Sequence, residues 1–388
     1  MKYNFDKHIN REETSCVKFD LREKIFGNPD VIPMWVADMD FETPDFIREA
    51  VIGRANHPIY GYTFRNSDYY QHIINWLWNN HQWKVAMESI LFSPGVVPAL
   101  NFIVKIYTNP KDKIIIQPPV YFPFFGAVKS HDRILVYNQL LKTDTGYMID
   151  FELLEHQAKD AEMLILSNPH NPVGRAWTKS ELLKIADICL KNNVLVVSDE
   201  IHADLVLPGF QHQVFADLSP EISDITITAH APSKTFNLAG LSTSSIIITN
   251  PELRLMFQQY IEDLHIGMGN LFGVITSNAA YEKGNDWRLQ LIDYLQSNIE
   301  YVESFIAKNL PKIRVFKTEA TYMIWLDFEA FCITDEALKA KMINEAGLGL
   351  NPGTDFGPGG EGCMRLNIAS PRNVVETAMN KLKIAFSY

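Results

Sequence analysis

Short apolar runs, separated by segments with helical periodicity, constrain the fold of this chain more than any other feature. Runs without polar alternation are typical of strands that are covered on both faces of a sheet. The segment 178–192 between two of them is predicted to be a crossover helix, because Thr178 and Glu181 at its start have the spacing of a capping box. The runs predicted as strands are residues 113–117, 163–167, 194–198, 225–228 and 245–249.

The order of these segments predicts an α/β region with a largely parallel sheet. Near Trp287 the pattern changes, because apolar residues then repeat at steps of three and four, as in a long amphipathic helix. The remainder has strand-like segments at 321–327 and 364–369 around a Gly/Pro-rich loop, which is typical of a smaller α+β domain. The sequence therefore predicts an N-terminal segment of the small domain at 1–48, a large domain at 49–286 and a C-terminal small domain at 287–388.

Charge and cysteine content exclude several classes of partner. The formal net charge of −11 and the lack of a dense Lys/Arg run disfavour nucleic acid and anionic membranes. The sequence contains neither an apolar signal core at its start nor a stretch of the roughly 18 apolar residues of a membrane span. Its four cysteines form no CxxC pair, so a disulfide framework is not indicated. We expect a cytoplasmic enzyme.

Polar residues follow three of the predicted strands. Ligands of open α/β sheets bind beyond the carboxyl ends of the strands, so these residues are candidates for a site. Each also has a plain structural explanation: Asn-Pro pairs make turns, an aspartate caps helices, and a lysine is usually solvated. Three such signals at successive strand ends favour one shared site. They are residues 168–174 (Asn-Pro-His-Asn-Pro-Val-Gly), Asp199 to His202, and Ser233-Lys234.

Two further patterns have competing interpretations. A glycine-containing turn at Gly95 and Val96 precedes a predicted helix, whose free N–H groups could hold a phosphate, although a simple loop-to-helix junction has the same appearance. The carboxylates and histidine of segment 199–204 could instead ligate a metal in a hydrolase. That alternative gives no role to Lys234 or to the Asn-Pro loop, so no metal is predicted.

The combination of these motifs resembles the fold-type I pyridoxal 5′-phosphate (PLP) enzymes, the aspartate aminotransferase-like superfamily, over nearly the whole chain. The shared order is the Asn-Pro loop, Asp199, Ser233-Lys234 and Arg365. Segments 33–41, 93–98, 119–121 and 233–241 further resemble the MalY/PatB cystathionine β-lyase (C–S lyase) branch. The resemblance implies a PLP-dependent transferase-like α/β fold with a large domain of mostly parallel sheet and a smaller α+β domain.

The resemblance also implies roles for individual residues. Lys234 would carry PLP as a Schiff base and remove the substrate Cα proton, and Asp199 would keep the pyridine nitrogen protonated. Arg365 would clamp the substrate carboxylate, with Ala37 and Tyr121 in the substrate site. The remaining cofactor contacts would come from Asn171 and His202 at the ring hydroxyl, Tyr121 on the ring face, and Gly95, Val96, Ser233 and Tyr62 of the neighbouring subunit at the phosphate.

These features predict a carbon–sulfur β-lyase that cleaves cystathionine or other S-substituted cysteines to a thiol, pyruvate and ammonia. Ser242 stands where aminotransferases of this fold usually have a phosphate-binding Arg, which weighs against the alternative of a class I/II aminotransferase. Tyr121, Trp35 and Phe124 suggest an aromatic pocket that suits a thioether. A regulatory protein that retains the PLP fold is the third interpretation. The family implies a homodimer.

Overall fold

Two β-sheets with flanking helices organise the computed structural model, which describes residues 2–387. Its strands are β1 (Ile32–Pro33), β2 (Ile90–Ser93), β3 (Lys113–Ile116), β4 (Ile134–Tyr137), β5 (Leu141–Lys142), β6 (Tyr147–Met148), β7 (Met163–Ser167), β8 (Leu195–Asp199), β9 (Thr226–His230), β10 (Ser244–Ile247), β11 (Arg314–Val315), β12 (Met323–Asp327), β13 (Leu348–Gly349), β14 (Asn351–Pro352) and β15 (Cys363–Asn367).

The helices cover both faces of the larger sheet and surround the smaller one. They are α1 (Val17–Asp20), α2 (Arg22–Phe26), α3 (Asp45–Ala55), α4 (Ser67–His81), α5 (Val96–Tyr107), α6 (Pro123–Lys129), α7 (Phe151–Gln157), α8 (Lys179–Asn192), α9 (Pro220–Asp224), α10 (Pro232–Thr235), α11 (Pro251–Asp263), α12 (Leu271–Lys283), α13 (Asn285–Asn309), α14 (Asp335–Asn344) and α15 (Arg372–Phe386). No helix in the part of the chain that the structure describes has the length and apolar character of a membrane span.

The larger sheet has the strand order β2-β10-β9-β8-β7-β3-β4. Strand β10 runs antiparallel to both of its neighbours, and the other pairs are parallel. Every residue of β7 and β9 is buried, as expected for strands that helices cover on both faces. In β8, Asp199 pairs with Ser167 of β7 and with Ala229 of β9, so the carboxyl ends of these three strands lie side by side. The predicted α/β fold is confirmed.

The smaller sheet has the order β11-β12-β15-β14 and contacts the long helix α13 and the C-terminal helix α15 through a shared core. The amphipathic helix that begins near Trp287 is confirmed, and its apolar face is buried. Strand β1 pairs in parallel with β13, which joins the N-terminal segment to the C-terminal region. The boundaries 1–48, 49–286 and 287–388 remain a proposal, and their outermost residues, Met1 and Tyr388, lie outside the described residues.

Some local predictions are confirmed and others need correction. The strand at 163–167 and the capping box of α8 are confirmed, with Thr178 Oγ1 accepting from the Glu181 N–H at 3.2 Å. The run 225–228 proves to be β9, which extends through His230, so that histidine lies within the sheet. Strands β2 and β4 were not predicted. Each is a four-residue strand at an edge of the sheet, and a short apolar run of this kind has no periodicity that separates strand from helix.

Candidate active site

A cavity of about 250 Å³ lies beyond the carboxyl ends of β7, β8 and β9. It collects residues that are far apart in sequence, because the neighbouring parallel strands end at the same edge of the sheet. Helix α5, helix α10 and the N-terminal segment complete its walls. Of the residues predicted for a site, nine line this cavity: Ala37, Gly95, Val96, Tyr121, Asn171, Asp199, His202, Ser233 and Lys234.

One end of the cavity is suited to an anion. Gly95 is the N-cap of α5 and Val96 its first residue, so backbone N–H groups without intrahelical partners lie at this wall. Ser233, Ser242 and Thr243 add hydroxyl groups, and the buried Thr243 Oγ1 has no hydrogen-bond partner within residues 2–387. This arrangement fits a phosphate group held mainly by N–H and O–H donors.

Asp199, the last residue of β8, is a buried carboxylate with few donors around it. It is 4% exposed, and its Oδ1 accepts a hydrogen bond from the Ile201 N–H at 3.2 Å. Burial raises the pKa of Asp199 to about 7, and the nearby charge of Lys234 opposes that rise only in part. A cationic N–H group beside it would stabilise the ionised form. The protonated pyridine nitrogen of PLP is such a group.

Lys234 lies in the short helix α10, and its amine reaches across to the N-terminal segment. The Nζ atom donates a hydrogen bond to the Ala37 carbonyl oxygen at 2.7 Å. Burial, together with the positive charge of Arg365, lowers the pKa of Lys234 to about 8. A larger fraction of the amine is therefore neutral near pH 7 than for an exposed lysine, and the neutral amine is the nucleophilic and basic form.

Tyr322, which the sequence analysis did not identify, shares the same acceptor. Its hydroxyl donates to the Ala37 carbonyl oxygen at 3.0 Å, and its side chain is fully buried. Burial raises the pKa of Tyr322, so the phenol stays protonated and remains a donor. Tyr322 immediately precedes β12, and its position in the sequence gives no sign of a contact with Ala37.

Arg365 lies on β15, where the smaller sheet meets the Asn-Pro loop of the larger one. Its Nη1 donates to Asn171 Oδ1 at 3.1 Å, and its Nη2 donates to Asn351 Oδ1 and to the Trp35 carbonyl oxygen, both at 2.8 Å. The guanidinium stacks over the Phe356 ring at 4.7 Å. Burial lowers the pKa of Arg365 to about 10, which still leaves it charged near neutral pH. It lies beside the cavity, in contact with Asn171 of the cavity wall.

His202 is neutral and has an unused ring nitrogen. Burial lowers its pKa to about 3, and the charges of Lys234 and Arg365 act in the same direction. Its Nδ1 is buried and has no hydrogen-bond partner among the residues that the structure describes. The His202 ring and the Asn171 side chain together offer polar atoms to a hydroxyl group attached to a cofactor ring. Three features of the cavity fit PLP. The unpaired His202 Nδ1 suits its ring hydroxyl, the buried Asp199 carboxylate suits its ring nitrogen, and the anion-binding end suits its phosphate.

Other predicted residues lie elsewhere. Tyr62 is 97% exposed and is not among the residues that line the cavity in this single chain. The expected pocket of three aromatic rings is wrong in two of them, because only Tyr121 lines the cavity. Phe124 belongs to the hydrophobic core next to Tyr121, and Trp35 lies at a different surface pocket beside Phe26. The carboxylates considered for a metal also separate: Glu200 Oε2 bonds to His212 at 2.8 Å, and Asp204 groups with His81 and His230. Segment 199–204 therefore does not assemble into one set of ligands.

Comparison with known proteins agrees with this geometry. Residues 29–382 match the family Aminotransferase class I and II. The chain is 45% identical to cystathionine beta-lyase PatB of Bacillus subtilis (strain 168), over 99% of this chain and 100% of the relative. A PLP-bound structure from Clostridium difficile 630 has a TM-score of 0.98, with 40% identity over 99% of this chain and 100% of that one. Cystalysin from Treponema denticola, which contains PLP, has a TM-score of 0.96 and 37% identity, with 99% of both chains covered.

The fold and the site define a fold-type I PLP-dependent enzyme. The chain belongs to the class I and II aminotransferase family. Within that family, its predicted resemblance to the MalY/PatB cystathionine β-lyase branch is confirmed by the near full-length match to PatB. The prediction of PLP as cofactor is confirmed as well.

Proposed function

We propose that this protein is a PLP-dependent carbon–sulfur β-lyase that cleaves cystathionine or other S-substituted cysteines to a thiol, pyruvate and ammonia. One observation carries the choice of reaction. Lys234 is the only cationic side chain that lines the cavity, as far as the described residues go, and Arg365 lies beside it. This single arginine suits the α-carboxylate that every amino acid has, and no arginine is among the described lining residues to bind the side chain of a dicarboxylate substrate.

Each residue of the site has a task that its geometry supports. PLP, when bound, withdraws electrons from the substrate Cα, and Asp199 maintains the positive charge on its ring nitrogen. Arg365 binds the α-carboxylate and so orients the Cα–H bond. The Lys234 amine takes the Cα proton, since burial has lowered its pKa to about 8. When the Cβ–S bond breaks, its electron pair leaves with sulfur, and a thiolate is a good leaving group.

Gly95, Val96 and Ser233 are proposed to hold the phosphate, with Asn171 and His202 at the ring hydroxyl. Tyr121 is proposed to lie against the ring. Ser242 and Thr243 line the same wall and supply hydroxyl groups where relatives of the aminotransferase type use an arginine. The phosphate charge is thus balanced by neutral donors and the helix dipole of α5.

The test is to incubate the purified holoenzyme with cystathionine in the absence of any keto acid and to measure pyruvate and free thiol. Both should appear in equal amounts, and addition of 2-oxoglutarate should not accelerate their release. Lys234→Ala is the matched control, and it should release neither product. A reaction that requires 2-oxoglutarate and yields glutamate without thiol would establish an aminotransferase instead.

A homodimer with sites shared between subunits is part of this proposal. Tyr62 is 97% exposed within a segment whose Ile59 and Phe64 are also exposed, so an apolar strip is available for a second copy. The decisive experiment mixes Tyr62→Ala and Lys234→Ala subunits and isolates the heterodimer with two affinity tags. If Tyr62 acts across the interface, the heterodimer contains one intact site and regains activity. A heterodimer without activity, or a fully active monomer in sedimentation, would contradict it. A cytoplasmic location completes the proposal.

A further inference from the structure

Asp204 follows β8 but does not line the cavity, and its ionisable side chain is buried in the protein interior. Its Oδ1 accepts hydrogen bonds from Trp76 Nε1 at 2.9 Å and from His81 Nε2 at 2.8 Å. Its Oδ2 accepts one from the Thr235 hydroxyl at 2.7 Å and lies 3.8 Å from His230 Nε2. The carboxylate thus connects α4, the end of β9 and α10.

These contacts join the two chain segments that supply the reactive groups, the end of β8 and helix α10. Asp204 follows β8 and lies five residues after Asp199, whereas Thr235 is next to Lys234 in α10. Strands β8 and β9 are parallel neighbours, with Asp199 paired to Ala229. The hydrogen bond from Thr235 to Asp204 therefore links the segment that follows Asp199 directly to the helix that contains Lys234.

The charge of Asp204 strengthens that link. Burial opposes its ionisation, but the adjacent His230 and the hydrogen bond from His81 hold the pKa of Asp204 well below its usual range. Hydrogen bonds to an ionised acceptor are shorter and stronger than those between neutral groups. The Thr235 side chain, and the α10 turn with it, is consequently anchored to a fixed charge inside the protein.

The same cluster has the composition of a metal site, because His81, Asp204 and His230 offer three ligand atoms within 4.8 Å of one another. The surrounding donors argue against a metal. Both carboxylate oxygens already accept hydrogen bonds from neighbouring groups, and the second nitrogen of His230 lies 3.1 Å from the Tyr281 hydroxyl. A structural zinc site would need a fourth ligand as well. The geometry is that of a closed hydrogen-bond network.

We propose that Asp204 and Thr235 are positioning residues that fix the Lys234 amine for proton transfer. The carboxylate holds the Thr235 side chain, and the turn then directs Lys234 Nζ to the place where it contacts the Ala37 carbonyl oxygen at 2.7 Å. The inference rests on the proposed role of Lys234 as the residue that carries PLP. Loss of the anchor leaves PLP attachment possible but displaces the amine, so its cost falls on kcat.

The test uses Thr235→Val in the holoenzyme, which replaces the hydroxyl with a methyl group of similar size. We expect kcat to fall about tenfold with KM changed less than about twofold, as the loss of a hydrogen bond to a charged acceptor predicts. The absorbance of the PLP–Lys234 linkage should titrate at a shifted pH, and amide hydrogen exchange at 232–238 should accelerate. Thr235→Ser keeps the hydroxyl and should restore all three properties.

Thr226→Val is the matched control. Thr226 lies at the opposite end of β9, where its buried hydroxyl donates to the Ile222 carbonyl oxygen at 2.5 Å. This variant should lower the Tm without changing kcat or the absorbance titration. An equal loss of kcat in both valine variants, or wild-type kinetics and exchange in Thr235→Val, would overturn the inference. So would one equivalent of zinc in the wild type that His81→Gln removes.

The proposed function can fail separately from this inference. Borohydride reduction of the wild type followed by peptide mapping shows which lysine carries PLP. Reduced cofactor on another lysine would refute the role of Lys234 itself. If the cofactor is on Lys234 and Thr235→Val has the kinetics and amide exchange of the wild type, only the positioning role is refuted.

Discussion

Asp199 and Asp204 are two buried aspartates only five residues apart, and their surroundings oppose each other. Asp199 faces the cavity, accepts a hydrogen bond from the Ile201 N–H, and has a pKa that burial raises to about 7. Asp204 faces the protein interior and accepts hydrogen bonds from Trp76, His81 and Thr235, and its pKa lies well below the usual range.

The comparison separates two uses of a buried charge. When many internal donors surround a carboxylate, its hydrogen-bonding capacity is satisfied within the protein, and it stabilises the fold around it. A carboxylate with few donors carries a desolvation cost that either protonation or a cationic ligand relieves, and such groups concentrate at functional sites. We therefore propose that Asp199 contacts the cofactor and that Asp204 belongs to the scaffold that positions Lys234.

The largest expected effect comes from removing the cavity-facing carboxylate. Asp199→Ala should retain the fold but lose about 10³-fold in kcat, equivalent to about 4 kcal/mol, because an unprotonated ring nitrogen withdraws electrons poorly. The measurement is single-turnover pyruvate release by the holoenzyme. Asp187→Ala, which removes an exposed carboxylate on α8, is the control and should behave as wild type. A kcat for Asp199→Ala within about threefold of wild type would remove the distinction between the two aspartates.

A second effect concerns the stability of the apoprotein as a function of pH. The folded pKa of Asp199, about 7, lies above the unfolded value of about 3.9, so the folded state keeps the proton to higher pH. Relative to Asp199→Asn, the wild-type apoprotein should therefore lose stability as pH rises from about 4 to about 7, by at most roughly 4 kcal/mol. Urea unfolding of both apoproteins across that range measures the difference, and a difference that does not change with pH would contradict the assigned environment. Bound PLP should reduce it.

Replacement of the interior aspartate should change the free energy of unfolding by less and in the opposite direction, because Asp204→Asn should be less stable than wild type. Asp204→Asn places an amide where several donors converge, and should cost about 2–3 kcal/mol of unfolding free energy. Since Asp204 does not touch the cofactor cavity, the apoprotein and the holoenzyme should lose the same amount, as measured by urea unfolding of each form. Destabilisation of the holoenzyme alone would assign Asp204 to the cofactor site and end the contrast with Asp199.

The sequence alone determined the layer architecture and the chemistry of the site. Apolar runs without alternation mark strands whose faces are both covered, and the strand at 163–167 and the cap of α8 follow directly from local signals. Polar residues after successive strands pointed to one site, because parallel strands end at a common edge. Asp199, Asn171, Ser233 and Lys234 do line one cavity, and the family resemblance supplied a role for each.

Only the tertiary structure revealed the contacts of Tyr322 and Asp204 with the segments that form the site. Tyr322 and Lys234 donate to the same carbonyl oxygen of Ala37, although nearly two hundred residues separate Ala37 from Lys234. The antiparallel direction of β10 and the edge strands β2 and β4 left no periodic signal. Asp199 and Asp204 look alike in the sequence, since both are aspartates that follow the same apolar run. Burial and the number of donors around each carboxylate decide their difference, and both arise from contacts between segments that local sequence does not encode.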